Sequence, residues 1–222
     1  MIGFVLRNNI KGAIFDLDGT LLDTMPVLER VEIDYLVTLG GHPKPGLAHI
    51  LRTLNLAELS EFYRSEYGVN ASLDEIYAGR NKLLEKYYNF DALLKDCVTP
   101  VLDSLRCDDV KMCVATASDR HLVEPAMQRC GILDYFERIL TCGEENTSKS
   151  NPDIYIRAAE LMGTEIRETV VVEDALHAIK SAKEAGFPVI AIYDVSAEDQ
   201  AEEIKAISDY YFASFEEMLG MM

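Results

Sequence analysis

Two aspartates one residue apart, Asp16 and Asp18, end the apolar run Gly12-Ala13-Ile14-Phe15 and lead into Gly19-Thr20. Adjacent carboxylates repel, so something must hold both ionised. A divalent cation is the usual answer, and Mg²⁺ prefers oxygen ligands of this kind. Taken alone, the hexapeptide Phe15–Thr20 also reads as an ordinary polar turn after a strand. Three further polar groups follow in consistent order. Thr116 and Ser118 come at the end of the apolar stretch KMCVAT, and Lys149 lies in the loop Thr147-Ser148-Lys149-Ser150-Asn151-Pro152-Asp153. Glu173-Asp174 directly follows Thr169-Val170-Val171-Val172. Acids, a hydroxyl and one lysine on one sheet edge are the inventory of Mg²⁺-assisted phosphoryl transfer. The metal and the lysine neutralise phosphate oxygens, the hydroxyl donates to one, and a carboxylate attacks phosphorus.

Such a convergence needs strands that all end on one edge. The apolar run before Asp16 reads as a buried strand, and so do Lys111–Thr116, Arg138–Leu140, Thr169–Val172, Pro188–Tyr193 and Tyr210–Phe212. Helical periods fall between them, over Leu122–Cys130, Pro152–Met162, Ala175–Ala185 and Glu198–Ile207. This alternation predicts an α/β fold with a doubly wound, mostly parallel, Rossmann-like sheet. In such sheets, ligands bind outside the carboxyl ends of the strands. Between Leu22 and Cys97 the pattern is helical throughout. A helix follows Pro26 and stops at Gly40-Gly41, and further helices are expected over Leu47–Leu54, Leu56–Tyr67 and Leu73–Leu94. The predicted organisation is an α/β core, 1–22 and 95–222, with an inserted all-helical domain, 23–94. The apolar start, Met1–Leu6, reads as an edge strand or a frayed end.

The chain has 222 residues, 49% hydrophobic and 27% charged, which suits a globular protein able to bury a core. Its formal net charge is −17 and its pI about 4.6, which argues against non-specific binding to nucleic acid or an anionic membrane. Five cysteines, with no C-x-x-C spacing, read as reduced thiols of a cytoplasmic protein. No apolar stretch approaches membrane-spanning length.

The motifs together resemble the haloacid dehalogenase superfamily of aspartate-nucleophile phosphatases, and most closely its phosphoglycolate phosphatase and β-phosphoglucomutase group with a helical cap. The carrying residues are Asp16-Leu-Asp18-Gly-Thr20, Val114-Ala-Thr116-Ala-Ser118, Ser148-Lys149-Ser-Asn-Pro152-Asp153-Ile-Tyr and Val171-Val-Glu173-Asp174-Ala. The resemblance implies that Asp16 is the nucleophile. Asp18 would be the general acid, then the base for water, with its backbone carbonyl on Mg²⁺. Thr116 and Lys149 would hold the phosphoryl oxygens. Asp174 would ligate Mg²⁺ with Asp16, and Glu173 would ligate or stand behind it. The insert would be a cap, hinged near Thr20–Thr24 and Cys97–Pro100. The implied function is a Mg²⁺-dependent phosphatase of a small phosphomonoester, a sugar phosphate among the candidates, acting as a monomer or weak homodimer.

The alternative within the superfamily is a phosphosugar mutase. That enzyme needs a second cationic phosphate site, for which Arg52, Arg64, Arg80 and Lys82 are candidates. The mutase branch commonly shows Lys-Asn after the second motif, where this chain has Asp119-Arg120. A silent binding protein would lack one of Asp16, Asp18, Lys149 or Asp174, and all are present. Ser118 reads as the cap of the helix starting near His121. His42, His49, His121 and His177 read as non-functional. Tyr87-Tyr88 with Phe90 reads as core of the insert.

Overall fold

The computed structural model describes residues 9–47, 50 and 56–221. Most of the helix expected over 47–54, with His49 and Arg52, lies outside them, as does the run Met1–Leu6. The chain forms two compact units, Met1–Asp23 with Leu93–Met222, and Thr24–Ala92.

Among the described residues, the first unit contains a parallel sheet of six strands: β1 (Gly12–Phe15), β2 (Lys111–Thr116), β3 (Arg138–Thr141), β4 (Thr169–Glu173), β5 (Val189–Ile192) and β6 (Tyr210–Phe212). Their spatial order is β3-β2-β1-β4-β5-β6. β1 is flanked by β2 (Ile14 opposite Cys113) and by β4 (Ile14 opposite Val171). The order therefore reverses beside β1, and such a switch point opens a crevice at the carboxyl ends of the strands.

Strands buried on both faces carry apolar residues on both faces. Ile14, Cys113, Ala115, Leu140, Val171 and Val189 share one core with the apolar sides of α6 (Asp153–Met162) and α7 (Leu176–Glu184). The alternate residues Phe15, Val114, Val172 and Ile190 are fully buried as well. The remaining helices of this unit are α4 (Val98–Cys107), α5 (Arg120–Arg129), α8 (Ala201–Ile207) and α9 (Phe215–Met221).

The second unit contains α1 (Met25–Thr38), α2 (Leu56–Tyr67) and α3 (Leu73–Phe90). Its core gathers Tyr35, Leu36, Leu59, Tyr63 and Ile76. A capping box between Ser72 and Glu75 starts α3. The Tyr35 hydroxyl donates to the Glu75 carbonyl at 2.8 Å. Gly79 lets the Tyr35 ring pass, since a Cβ there would lie 2.0 Å from it. Tyr88 is buried as expected, whereas Phe90 is 73% exposed.

Several elements differ from expectation. The last helix of the insert stops at Phe90 instead of reaching Leu94, and Leu94 bridges antiparallel to Leu22. α4 and α9 form where no helix was expected. The helix expected over Glu198–Ile207 begins as a 3₁₀ segment, Val195–Gln200, and is α-helical only from Ala201.

Candidate active site

The site is built at the switch point. The carboxyl end of β1 is tied to β4 by the Asp16 amide, which donates to the Val172 carbonyl at 3.0 Å. This places Asp16 beside Glu173, the last residue of β4, and Asp174. After Asp16 the chain turns sharply. Gly19 adopts φ +88°, a conformation that favours glycine, and its amide donates to the Leu22 carbonyl at 2.9 Å. That turn leaves Asp18 half-buried and swings Thr20 inward, where it is fully buried. The Thr20 hydroxyl donates to Asp174 Oδ1 at 3.0 Å.

Lys149 reaches in from the loop between β3 and α6 and is 7% exposed. Its ammonium donates to Asp16 Oδ1 and, at 2.5 Å, to Glu173 Oε1. Glu173 is fully buried, and its Oε1 also accepts from the Tyr155 hydroxyl at 2.9 Å. Its Oε2 accepts from the Asp174 and Ala175 amides at 3.2 and 3.4 Å. Thr116 is buried at the end of β2, and its Oγ1 accepts from the Ser118 amide at 3.0 Å, leaving the hydroxyl proton free to be donated.

The structure corrects the reading of Ser118. Asp119, not Ser118, occupies the N-cap of α5, and the Ser118 hydroxyl donates instead to Asp18 Oδ2 at 2.7 Å. Arg120 is also committed: its guanidinium meets both oxygens of Glu144, at 2.7 and 2.6 Å, and the Ile139 carbonyl at 2.7 Å.

Burial and crowding shape the charges. Burial pushes the Asp174 carboxyl well above the ordinary range, and the Asp16 and Glu173 charges add to this against Lys149 and Thr20. Burial likewise raises Glu173, opposed by the Lys149 ammonium. Burial works against the charge of Lys149, but Asp16 and Glu173 outweigh it and raise its pKa. Burial holds the Tyr155 phenol well above its usual range, so its hydroxyl is the donor to Glu173.

Asp16, Glu173 and Asp174 each offer a carboxylate oxygen, and these oxygens lie within 4.8 Å of one another. At that spacing two unit charges repel by about 3–4 kcal/mol at an effective dielectric near 20. When all three are ionised, one ammonium leaves two negative charges unbalanced. Hard oxygen donors with that surplus fit a divalent cation such as Mg²⁺.

The six residues expected in the site are Asp16, Asp18, Thr116, Lys149, Glu173 and Asp174. Direct hydrogen bonds join Lys149 to Asp16 and Glu173, and both Asp18 and Thr116 contact Ser118. Thr20, Ser118 and Tyr155 had no chemical role in the sequence reading. Tyr155 carries a local signal, as a hydroxyl-bearing residue among Ile154, Ala158, Ala159 and Met162 on the buried side of its helix.

The haloacid dehalogenase-like hydrolase family matches residues 10–186. The hexitol phosphatase A of Escherichia coli is 30% identical over 187 residues, covering 82% of this chain and 82% of that protein. The fructose-1-phosphate phosphatase YqaB of the same organism is 25% identical over 195 residues, covering 82% of this chain and 95% of that protein. Among solved structures, CbbY from Rhodobacter sphaeroides in complex with phosphate superposes with a TM-score of 0.79 at 23% identity. That match covers 94% of this chain and 96% of that one. Among the described residues no helix is long and apolar enough to cross a membrane.

Proposed function

Since the chain belongs to the haloacid dehalogenase-like hydrolases, we propose that it is a Mg²⁺-dependent phosphatase of a small phosphomonoester, with sugar phosphates the first class to test. The observation that carries this reading is one buried ammonium shared by two carboxylates, Asp16 and Glu173, with Asp174 alongside. The matches to a hexitol phosphatase and a fructose-1-phosphate phosphatase support the substrate class.

In this mechanism an Asp16 carboxylate oxygen attacks phosphorus as the bond to the leaving oxygen breaks, giving an aspartyl-phosphate. Asp18 gives its proton to the leaving oxygen. Asp18 then takes a proton from water, whose oxygen displaces Asp16 from phosphorus and releases phosphate. Lys149 and the Thr116 hydroxyl donate to the phosphoryl oxygens as negative charge builds on them. The Ser118 hydroxyl holds Asp18 by its Oδ2. Asp16, the Asp18 carbonyl and Asp174, with Glu173 beside them, would hold Mg²⁺, which supplies charge neutralisation to the phosphoryl group. The helical unit would act as the cap that excludes water.

The mutase alternative needs a second phosphate anchor; of its candidates Arg52, Arg64, Arg80 and Lys82, Arg52 lies outside the described residues and Arg64 is paired with Glu61 at 2.8 Å. The deciding experiment is hydrolysis of a panel of sugar phosphates, phosphoglycolate, nucleotides and an aryl phosphate, with Mg²⁺ and with chelator. Mg²⁺-dependent phosphate release is expected. Isomerised hexose phosphate without phosphate release would establish the mutase instead, and no turnover of any compound would overturn both.

A further inference from the structure

We propose that Tyr155 is a positioning residue of this site: its hydroxyl fixes Glu173, and through Glu173 it fixes the Lys149 ammonium that grips the phosphoryl group. The inference rests on the phosphatase reading above.

Lys149 has a long, flexible side chain and comes from a loop, so its precision must come from what it touches. It touches Glu173 Oε1 at 2.5 Å. The Tyr155 hydroxyl donates to that same oxygen at 2.9 Å. Two backbone amides occupy Oε2. A carboxylate has about four acceptor sites, so these four donors fill it. Glu173 cannot rotate without losing several of them at once.

Tyr155 is itself immobilised. It is fully buried, and its ring meets that of Phe187 edge to face, with centroids 6.3 Å apart and planes at 65°. Its neighbours on the buried side of α6 are apolar. Packing alone would be met by phenylalanine, whereas a hydroxyl buried there requires a partner. Glu173 is that partner.

The test compares the full-length wild type with Tyr155→Phe, which keeps the ring and removes the hydroxyl. Two readouts are needed: hydrolysis of para-nitrophenyl phosphate, and calorimetric binding of inorganic phosphate in Mg²⁺. Losing a hydrogen bond to a charged group should lower kcat/KM roughly ten-fold and weaken phosphate binding several-fold. The thermal midpoint should move by only about a few degrees. Phe187→Leu serves as the packing control. It loosens the ring but keeps the hydroxyl, so it should lower the midpoint and hold phosphate affinity within about two-fold. An active wild type with an equally active, equally phosphate-binding Tyr155→Phe would overturn this inference alone. A wild type without Mg²⁺-dependent hydrolysis would overturn the phosphatase reading, and this inference with it.

Discussion

Thr20 and Asp174, 154 residues apart in sequence, meet in a buried hydrogen bond of 3.0 Å that ties the turn after β1 to the residue following β4. Thr20 has no exposure to solvent, and burial pushes the Asp174 carboxyl well above its ordinary range. Thr20→Val keeps the volume and deletes the donor. It should cost about 1–3 kcal/mol, the penalty for a buried acceptor left unmatched. Thr20→Ser, which keeps the hydroxyl, should lose less. Thermal denaturation of the pair reads this directly, and equal midpoints for Val and Ser would show that the bond does not stabilise the fold.

Asp16→Asn tests the proposed nucleophile. The amide is a poor nucleophile and cannot form the acyl phosphate, so turnover should fall by roughly 10³-fold or more. The fold should survive, because the substitution removes one charge from a cluster with too many and keeps its shape. Circular dichroism and phosphate release measured on the same preparation check both parts. Substantial residual activity would remove Asp16 from that role.

The strand ends at the candidate site are legible because each is an apolar run stopped abruptly by a polar residue, as in Val170-Val171-Val172-Glu173-Asp174. Buried parallel strands leave that signature because both faces are covered. Long-range partners leave none. Ser118 looks like a helix cap by position, yet its hydroxyl goes to Asp18, 100 residues away, and no local pattern encodes that choice. α4 was missed although Val98, Val101, Leu102 and Leu105 follow the helical period and are all buried. Its Pro100 and a cysteine, rather than a usual capping residue, at its N-cap mask the signal. α9 is only 7 residues long, too short for its buried Phe215 and Met218 to establish a period.

The metal should be readable as stability. Asp174 and Glu173 are raised in the folded chain, so without metal the folded state holds protons that the unfolded chain has released. Their contribution is therefore present below the unfolded value, about 4, and is lost as pH rises through the folded values. In chelator, the midpoint should fall as pH rises from about 4. Mg²⁺ at a hundred times its Kd should add about 2.7 kcal/mol near neutral pH. Its stabilisation should shrink on acidification, as protons compete for the same oxygens. A midpoint at pH 7 unmoved by saturating Mg²⁺ would contradict the assignment of Asp16 and Asp174 to a metal.

The opposite pH dependence is expected where the chain re-enters the α/β unit. Lys95 donates to Asp194 Oδ2 at 2.7 Å and to the Tyr193 carbonyl at 3.2 Å, and its own amide donates to the Leu21 carbonyl. The two side chains are 17% and 4% exposed, so the pair is poorly screened. Burial works to raise the Asp194 carboxyl, but Lys95 and the Ser196 hydroxyl and amide outweigh it and hold it below the ordinary value. A depressed carboxylate stabilises the fold above its unfolded value, about 4, and that contribution disappears as pH falls through the lower folded value. Asp194→Asn should therefore cost about 1–3 kcal/mol at pH 7, because it leaves the Lys95 ammonium without its counter-charge. The gap between wild type and variant should narrow as the pH drops below about 4. Denaturant melts of both proteins at pH 7 and near pH 3 measure it, and a gap of constant size would mean that the charge of Asp194 contributes nothing beyond its hydrogen bonds.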